Sequence, residues 1–156
     1  MTKKIVWTCV IVALVVIILC PLLMQAVPYG RSHTNPPVVS EPKWDSPQTR
    51  ALAKRACFDC HSNETGWKWY SNIAPFSWLI QSDVDQGRQV LNFSEWGQQA
   101  GGNDRERATD PNRIAQSIQE GEMPPAVYLP MHPEAQLTQA EKDQLIQGLT
   151  TTLTSP

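Results

Sequence analysis

The chain has 156 residues, enough for one compact domain with appendages but not for two. Its formal net charge of −2 hides an asymmetry: Lys3 and Lys4 precede a charge-free stretch, and from Arg31 onward eleven basic residues face all 15 acidic ones. A net charge of −4 from Arg31 onward argues against nucleic acid, which rewards basic surfaces, and suits a partner presenting Lys or Arg.

Ile5 to Val27 carries no carboxylate, amine or guanidinium. As a helix these 23 residues reach about 35 Å, against a hydrocarbon core of about 30 Å. Residues 1–27 therefore read as a membrane anchor, uncleaved, since the apolar run exceeds the roughly 7–15 residues of a signal peptide. Lys3 and Lys4 predict the N-terminus inside, with the remainder in a bacterial periplasm or equivalent extracytoplasmic space. Cys9 and Cys20 lie eleven residues apart in this helix, roughly 16 Å along the axis, too far for a mutual disulfide.

Residues 28–45 are proline-rich and lack a helical period, which predicts a semi-extended tether. Packing of Trp44, Val38 and Val39 against the following domain is the alternative. Residues 46–156 then form an all-α domain of four helices. Ser46-Pro47 opens the first, through Ala56; Pro75 opens the second, carrying Trp78, Leu79, Val84, Val90 and Leu91, with Gly87 weakening its end. Asp110-Pro111 opens the third, and the capping box Thr138–Glu141 opens the fourth. A surface loop is expected over 94–109.

The chemistry concentrates in Cys57-Phe58-Asp59-Cys60-His61. Two cysteines three apart with a histidine next form the attachment signature of c-type haem. One helical turn sets both sulfurs against the vinyl edge of one haem, and His61 reaches the iron. A thioredoxin-type CxxC would want a βαβ setting, and a zinc site a second Cys/His pair. Neither accompanies the motif, since only His33 and His132 remain as distant singles.

Met123, Met131 and His132 are candidates for the second axial position. Met123 is preferred because Gly121 and Pro124-Pro125 fix the backbone around it. A proximal histidine donates its other N–H to a carbonyl or carboxylate, and Pro75 or a neighbour is the expected carbonyl. Trp67, Trp69, Tyr70 and Trp78 are candidate pocket walls and propionate donors, with ordinary packing as the equal alternative. Asn63-Glu64-Thr65 matches a glycosylation sequon and reads as coincidence.

The stretches 57–65, Trp67–Ser71, Ile73–Trp78, Gly87-Arg88, Leu91–Trp96, Gly121–Pro125, Tyr128-Leu129 and His132–Ala135 together resemble the bacterial haem-binding domain family of cytochrome c-like proteins. The resemblance runs from about Trp44 to Leu149. It implies a cytochrome c-like fold and a single haem c held by Cys57, Cys60 and His61, with Met123 as distal ligand. The expected function is one-electron transfer between redox proteins, not catalysis. Rivals are a peroxidase-like haem enzyme with His132 as distal acid/base, a haem sensor, and an accessory subunit of a membrane complex.

Overall fold

A computed structural model describes residues 3–97 and 109–154. The chain divides into two compact units, Met1–His33 with Trp67–Ser82, and Thr34–Gly66 with Asp83–Pro156. Among the described residues the secondary structure is helical, apart from one isolated bridge between Ser40 and Glu95.

In the first unit, α1 runs from Lys3 to Met24 with a mean hydropathy of 3.0 and none of its residues buried. Its length and composition suffice to cross a membrane. Beyond it, the Gln25 amide grips Ala74: Nε2 donates to the Ala74 carbonyl at 2.9 Å and Oε1 accepts the Ala74 N–H at 3.0 Å. Gly30, at φ +78°, passes so close to Ser77 that a Cβ would sit 2.0 Å from its carbonyl oxygen. The His33 ring stacks on Trp67 and meets Ser71 through Nε2. The first turns of α4 (Phe76–Val90) also belong to this unit.

The second unit holds α2 (Pro47–Ala56), the single turn α3 (Phe58–His61), the rest of α4, α5 (Pro111–Gln119) and α6 (Gln139–Thr154). The four expected helices are all present, and their caps explain where they start. Ser46 Oγ accepts the Thr49 N–H, Asp110 accepts the Asn112 N–H, and Thr138 and Glu141 exchange bonds. The apolar faces meet in a core of Leu52, Ala53, Phe58, Leu91, Phe93, Ile118, Leu145 and Leu149. Burying each large side chain contributes about 1.5–3 kcal/mol.

Helix α6 packs against both α2 and α5. It approaches α2 at Gly148, where a Cβ would lie 2.0 Å from Thr49 Oγ1, a side chain itself 1 % exposed. Gly148→Ala would gain up to about 1 kcal/mol of helix propensity but meets overpacking of about 1–3 kcal/mol. The expected net result is a lower melting temperature, read by circular dichroism.

The capping box carries a pH signature. Arg55, and then the Thr138 N–H, hold the Glu141 carboxyl down at about 2, from an ordinary 4.5. A depressed carboxylate stabilises fully above its unfolded value and loses that contribution as pH falls toward the folded one. The stability gap between wild type and Glu141→Gln should therefore close as pH drops from 4.5 to about 2, seen by thermal melts at each pH.

Residues 34–45 lie along the second unit. Val39 and Ser40 donate to the Ser94 carbonyl, Trp96 donates to Ser40, and Glu41 pairs with Arg50. Trp44 packs on Phe58 and Phe93, while Val38 and Val39 stay exposed. Residues 34–45 thus belong with this unit, and of the three apolar side chains singled out in the sequence Trp44 packs while Val38 and Val39 do not. Asn63 is buried, bonded to Pro37, Glu95 and Asn92, so the sequon offers no accessible amide. The loop expected over 94–109 falls mostly outside the described residues.

Candidate functional site

Cys57 is the hinge of the site. Its N–H closes α2 on the Ala53 carbonyl, and its own carbonyl accepts from Cys60 at 3.2 Å and His61 at 2.9 Å. This single turn brings Cys57 and His61 to the same cavity, of about 430 Å³, within the usual size of a cofactor pocket of roughly 300–1,000 Å³. Leu91, Phe93, Ile114 and Ile118 supply much of the apolar lining, and Arg113, Ser117 and Met123 also face the cavity.

His61 is oriented by the end of α4. Its Nδ1 lies 3.1 Å from the carbonyls of both Gly87 and Leu91. Two backbone carbonyls at the C-terminal end of the helix, that of Gly87 also accepting the Leu91 N–H, fix one tautomer. Nδ1 carries the proton, and Nε2 keeps its lone pair. Burial pushes the His61 pKa down against the pull of those carbonyls, which favours the neutral, ligating imidazole. His61 thus bonds the Gly87 and Leu91 carbonyls and not the expected one at Pro75: Pro75 precedes the same helix, and these carbonyls lie at its other end.

This contact depends on Gly87. A Cβ there would sit 2.4 Å from the Cys60 carbonyl oxygen, so only glycine lets α4 come this near the motif turn. Arg88 then clamps the chain that leaves the turn, donating to the Ser62 carbonyl, Thr65 Oγ1, the Thr34 carbonyl and Asn35 Oδ1.

Met123 arrives by a different device. Helix α5 ends in a Schellman turn: Gly121, at φ +74°, donates to the Ile118 carbonyl, and Glu122 donates to that of Ser117. The Met123 N–H also bonds Ser117 at 3.1 Å, holding the residue at the cavity with its side chain 42 % exposed. Met131 and His132 do not line the cavity. His132 is buried, stacked on Tyr128 at 3.7 Å, with Nδ1 3.6 Å from Asp59 and 3.4 Å from Glu134. Tyr128 donates its hydroxyl to Asp59 at 2.6 Å, which ties this segment to the middle of the Cys57–His61 motif.

Burial pushes both motif thiols up to about 12, with Asp83 and Asp59 adding to the effect at Cys60. Protonated, desolvated thiols are poor metal thiolates and poor dithiol reductants. Among the described residues no cluster of three or more His, Cys, Asp or Glu side chains suits a metal ion. Cys60 sits on the same turn as Cys57 but faces Gly87 and does not line the cavity.

The aromatic residues expected at the pocket do not line it. Trp67 stacks on His33, Trp69 meets Tyr70 edge-on, and Trp78 is absent from the lining. The cation on the cavity is Arg113, which the sequence reading passed over. Its signal was faint: it precedes Ile114 in α5, as the single charged residue of an amphipathic helix.

The donor set fits a haem: an imidazole with a directed lone pair, a thioether, a buried thiol and an otherwise apolar wall with one cation. No curated protein and no solved structure matches the chain. A family model described as a haem-binding domain, however, matches residues 19–151, which contain every residue lining the cavity. Family match and cavity chemistry agree, and the chain belongs to the haem-binding domain family.

Proposed function

We propose that this haem protein is a membrane-anchored c-type cytochrome that moves single electrons on the extracytoplasmic side of the membrane. The observation that carries the reading is the convergence of Cys57, His61 and Met123 on one largely apolar cavity. Cys57, on the cavity wall, and Cys60, on the same turn, would hold the haem covalently as thioethers. His61, through Nε2, and Met123, through its thioether, would be the side chains that hold the iron, in a cytochrome c-like helical unit. When bound, the haem supplies a one-electron couple. The protein supplies ligation, exclusion of water by Leu91, Phe93, Ile114 and Ile118, and a cation at Arg113 for a propionate.

A haem held by both His61 and Met123 would offer substrate no binding position, which supports the reading of an electron carrier. What favours it over a peroxidase is the engagement of His132 with Tyr128, Asp59 and Glu134, away from the cavity lining. The anchor reading rests on α1, and Lys3 and Lys4 support a cytoplasmic start by the positive-inside rule. Donor and acceptor are redox proteins, either free or within a membrane complex.

Covalent attachment is tested by extraction. Acidified acetone should leave the haem on the wild-type polypeptide and remove it fully from a Cys57→Ala, Cys60→Ala double variant. Complete extraction from wild type would contradict the c-type assignment while leaving haem binding intact.

A further inference from the structure

We propose that Trp67–Ser82 is a second membrane contact, seating Trp69, Ile73, Phe76 and Leu79 in the interfacial zone of the leaflet where α1 ends. The inference rests on the reading of α1 as a membrane anchor.

The first observation is the attachment of this segment. Gln25 directly follows the last residue of α1, and its side-chain amide makes two hydrogen bonds to the backbone of Ala74. Arg31 braces that amide by donating to Gln25 Oε1 at 3.0 Å. The close pass of Gly30 over Ser77 and the stack of His33 on Trp67 tie down both sides of Ala74. The 22 residues of α1 span about 33 Å against a hydrocarbon core of about 30 Å. A backbone bonded one residue past that helix therefore lies in the polar zone, which adds about 5–7 Å on each side.

The second observation is which side chains the segment leaves outside. Ser71, Ala74 and Ser77 are buried, whereas Trp69 is 70 % exposed, Phe76 55 % and Leu79 61 %, with Ile73 at 40 %. Small and polar residues face inward and large apolar ones face out, the reverse of a water-facing surface. Tryptophan is also the residue type that enriches at the headgroup level.

Charge then selects lipid as the occupant. Met1–His33 and Trp67–Ser82 contain no acidic residue; their charges are Lys3, Lys4, Arg31 and Lys68. All 15 carboxylates of the chain belong to the other unit. Arg31 and Lys68 on the far side of α1 suit phosphate headgroups, while a carboxylate there would be repelled by anionic lipid.

The full-length haem-loaded chain in nanodiscs of phosphatidylcholine and phosphatidylglycerol tests this, with p-benzoylphenylalanine in place of Val12, Trp69, Phe76 or Val127 in separate variants. After irradiation, mass spectrometry should find lipid adducts at 12, 69 and 76 and none at 127, a position whose side chain is 85 % exposed in the other unit. Adducts at 12 without adducts at 69 and 76 would overturn the proposal and leave the anchor standing. Cross-links from 69 and 76 to a second copy of the chain instead of lipid would also overturn it, in favour of a protein interface. No lipid adduct at 12 would remove the anchor reading and this proposal with it.

Discussion

Replacing Gly87 with alanine is expected to abolish haem loading, although alanine is normally the better helix former by about 1 kcal/mol. The added Cβ would lie 2.4 Å from the Cys60 carbonyl oxygen and 3.0 Å from the Cys60 Cβ. The oxygen is backbone, within the turn that carries Cys57, Cys60 and His61, so it cannot swing aside as a flexible side chain would. Relief requires α4 and the motif turn to separate, and that pulls the Gly87 and Leu91 carbonyls off His61 Nδ1. Overpacking of this kind costs about 1–3 kcal/mol in stability, and the larger loss is functional, because the imidazole is no longer aimed. The haem-to-protein ratio of the purified variant should fall to near zero, with a lowered melting temperature. Wild-type haem content together with a raised melting temperature would show that Gly87 is only a helix-weakening residue.

Met123→Ala should separate ligation from loading. Cys57, Cys60 and His61 are untouched, so haem content stays near wild type. Loss of the thioether leaves five-coordinate iron, a high-spin ferrous spectrum and rapid carbon monoxide binding. The midpoint potential should fall by on the order of 100 mV or more, within the roughly 0.8 V range that axial ligands command. Spectra and potential unchanged in this variant, with changes in Met131→Ala or His132→Ala instead, would reassign the ligand. The buried stack of His132 on Tyr128 and the absence of both residues from the cavity lining are the reasons neither is expected to substitute.

The starting points of the helices were legible because caps are local chemistry. Ser46-Pro47, Asp110-Pro111 and Thr138–Glu141 each satisfy their own backbone donors within three residues, so no tertiary knowledge is needed. The Cys57–His61 motif was legible for the same reason, being one turn of chain. The position of Met123 at the cavity could be anticipated because Gly121 and two prolines restrict the path between α5 and the next segment.

What escaped were long-range encounters. Gly87 and Gly148 look alike in sequence, as weak points in helices, and only the partner across the contact reveals that each is required. The proximal carbonyl was sought at Pro75 or a neighbour; the structure instead brings the far end of α4, at Gly87 and Leu91, to His61. The tryptophans left two readings open because an aromatic residue near a haem motif in sequence carries no information about which unit it packs in. Trp67, Trp69 and Trp78 belong with α1, whereas Trp44, from the stretch read as a tether, joins the core of the other unit. Arg113 had no distinguishing neighbour at all.

The central claim is that both axial positions are filled by the protein, and the ferrous absorption spectrum with and without carbon monoxide tests it most directly. A low-spin c-type spectrum that does not change on adding carbon monoxide is the predicted result, and it would fit His61 and Met123 as the ligand pair of an electron carrier. Rapid formation of a carbon monoxide adduct by the wild-type protein would contradict it and place an open or weakly held sixth position at the centre of the protein's chemistry.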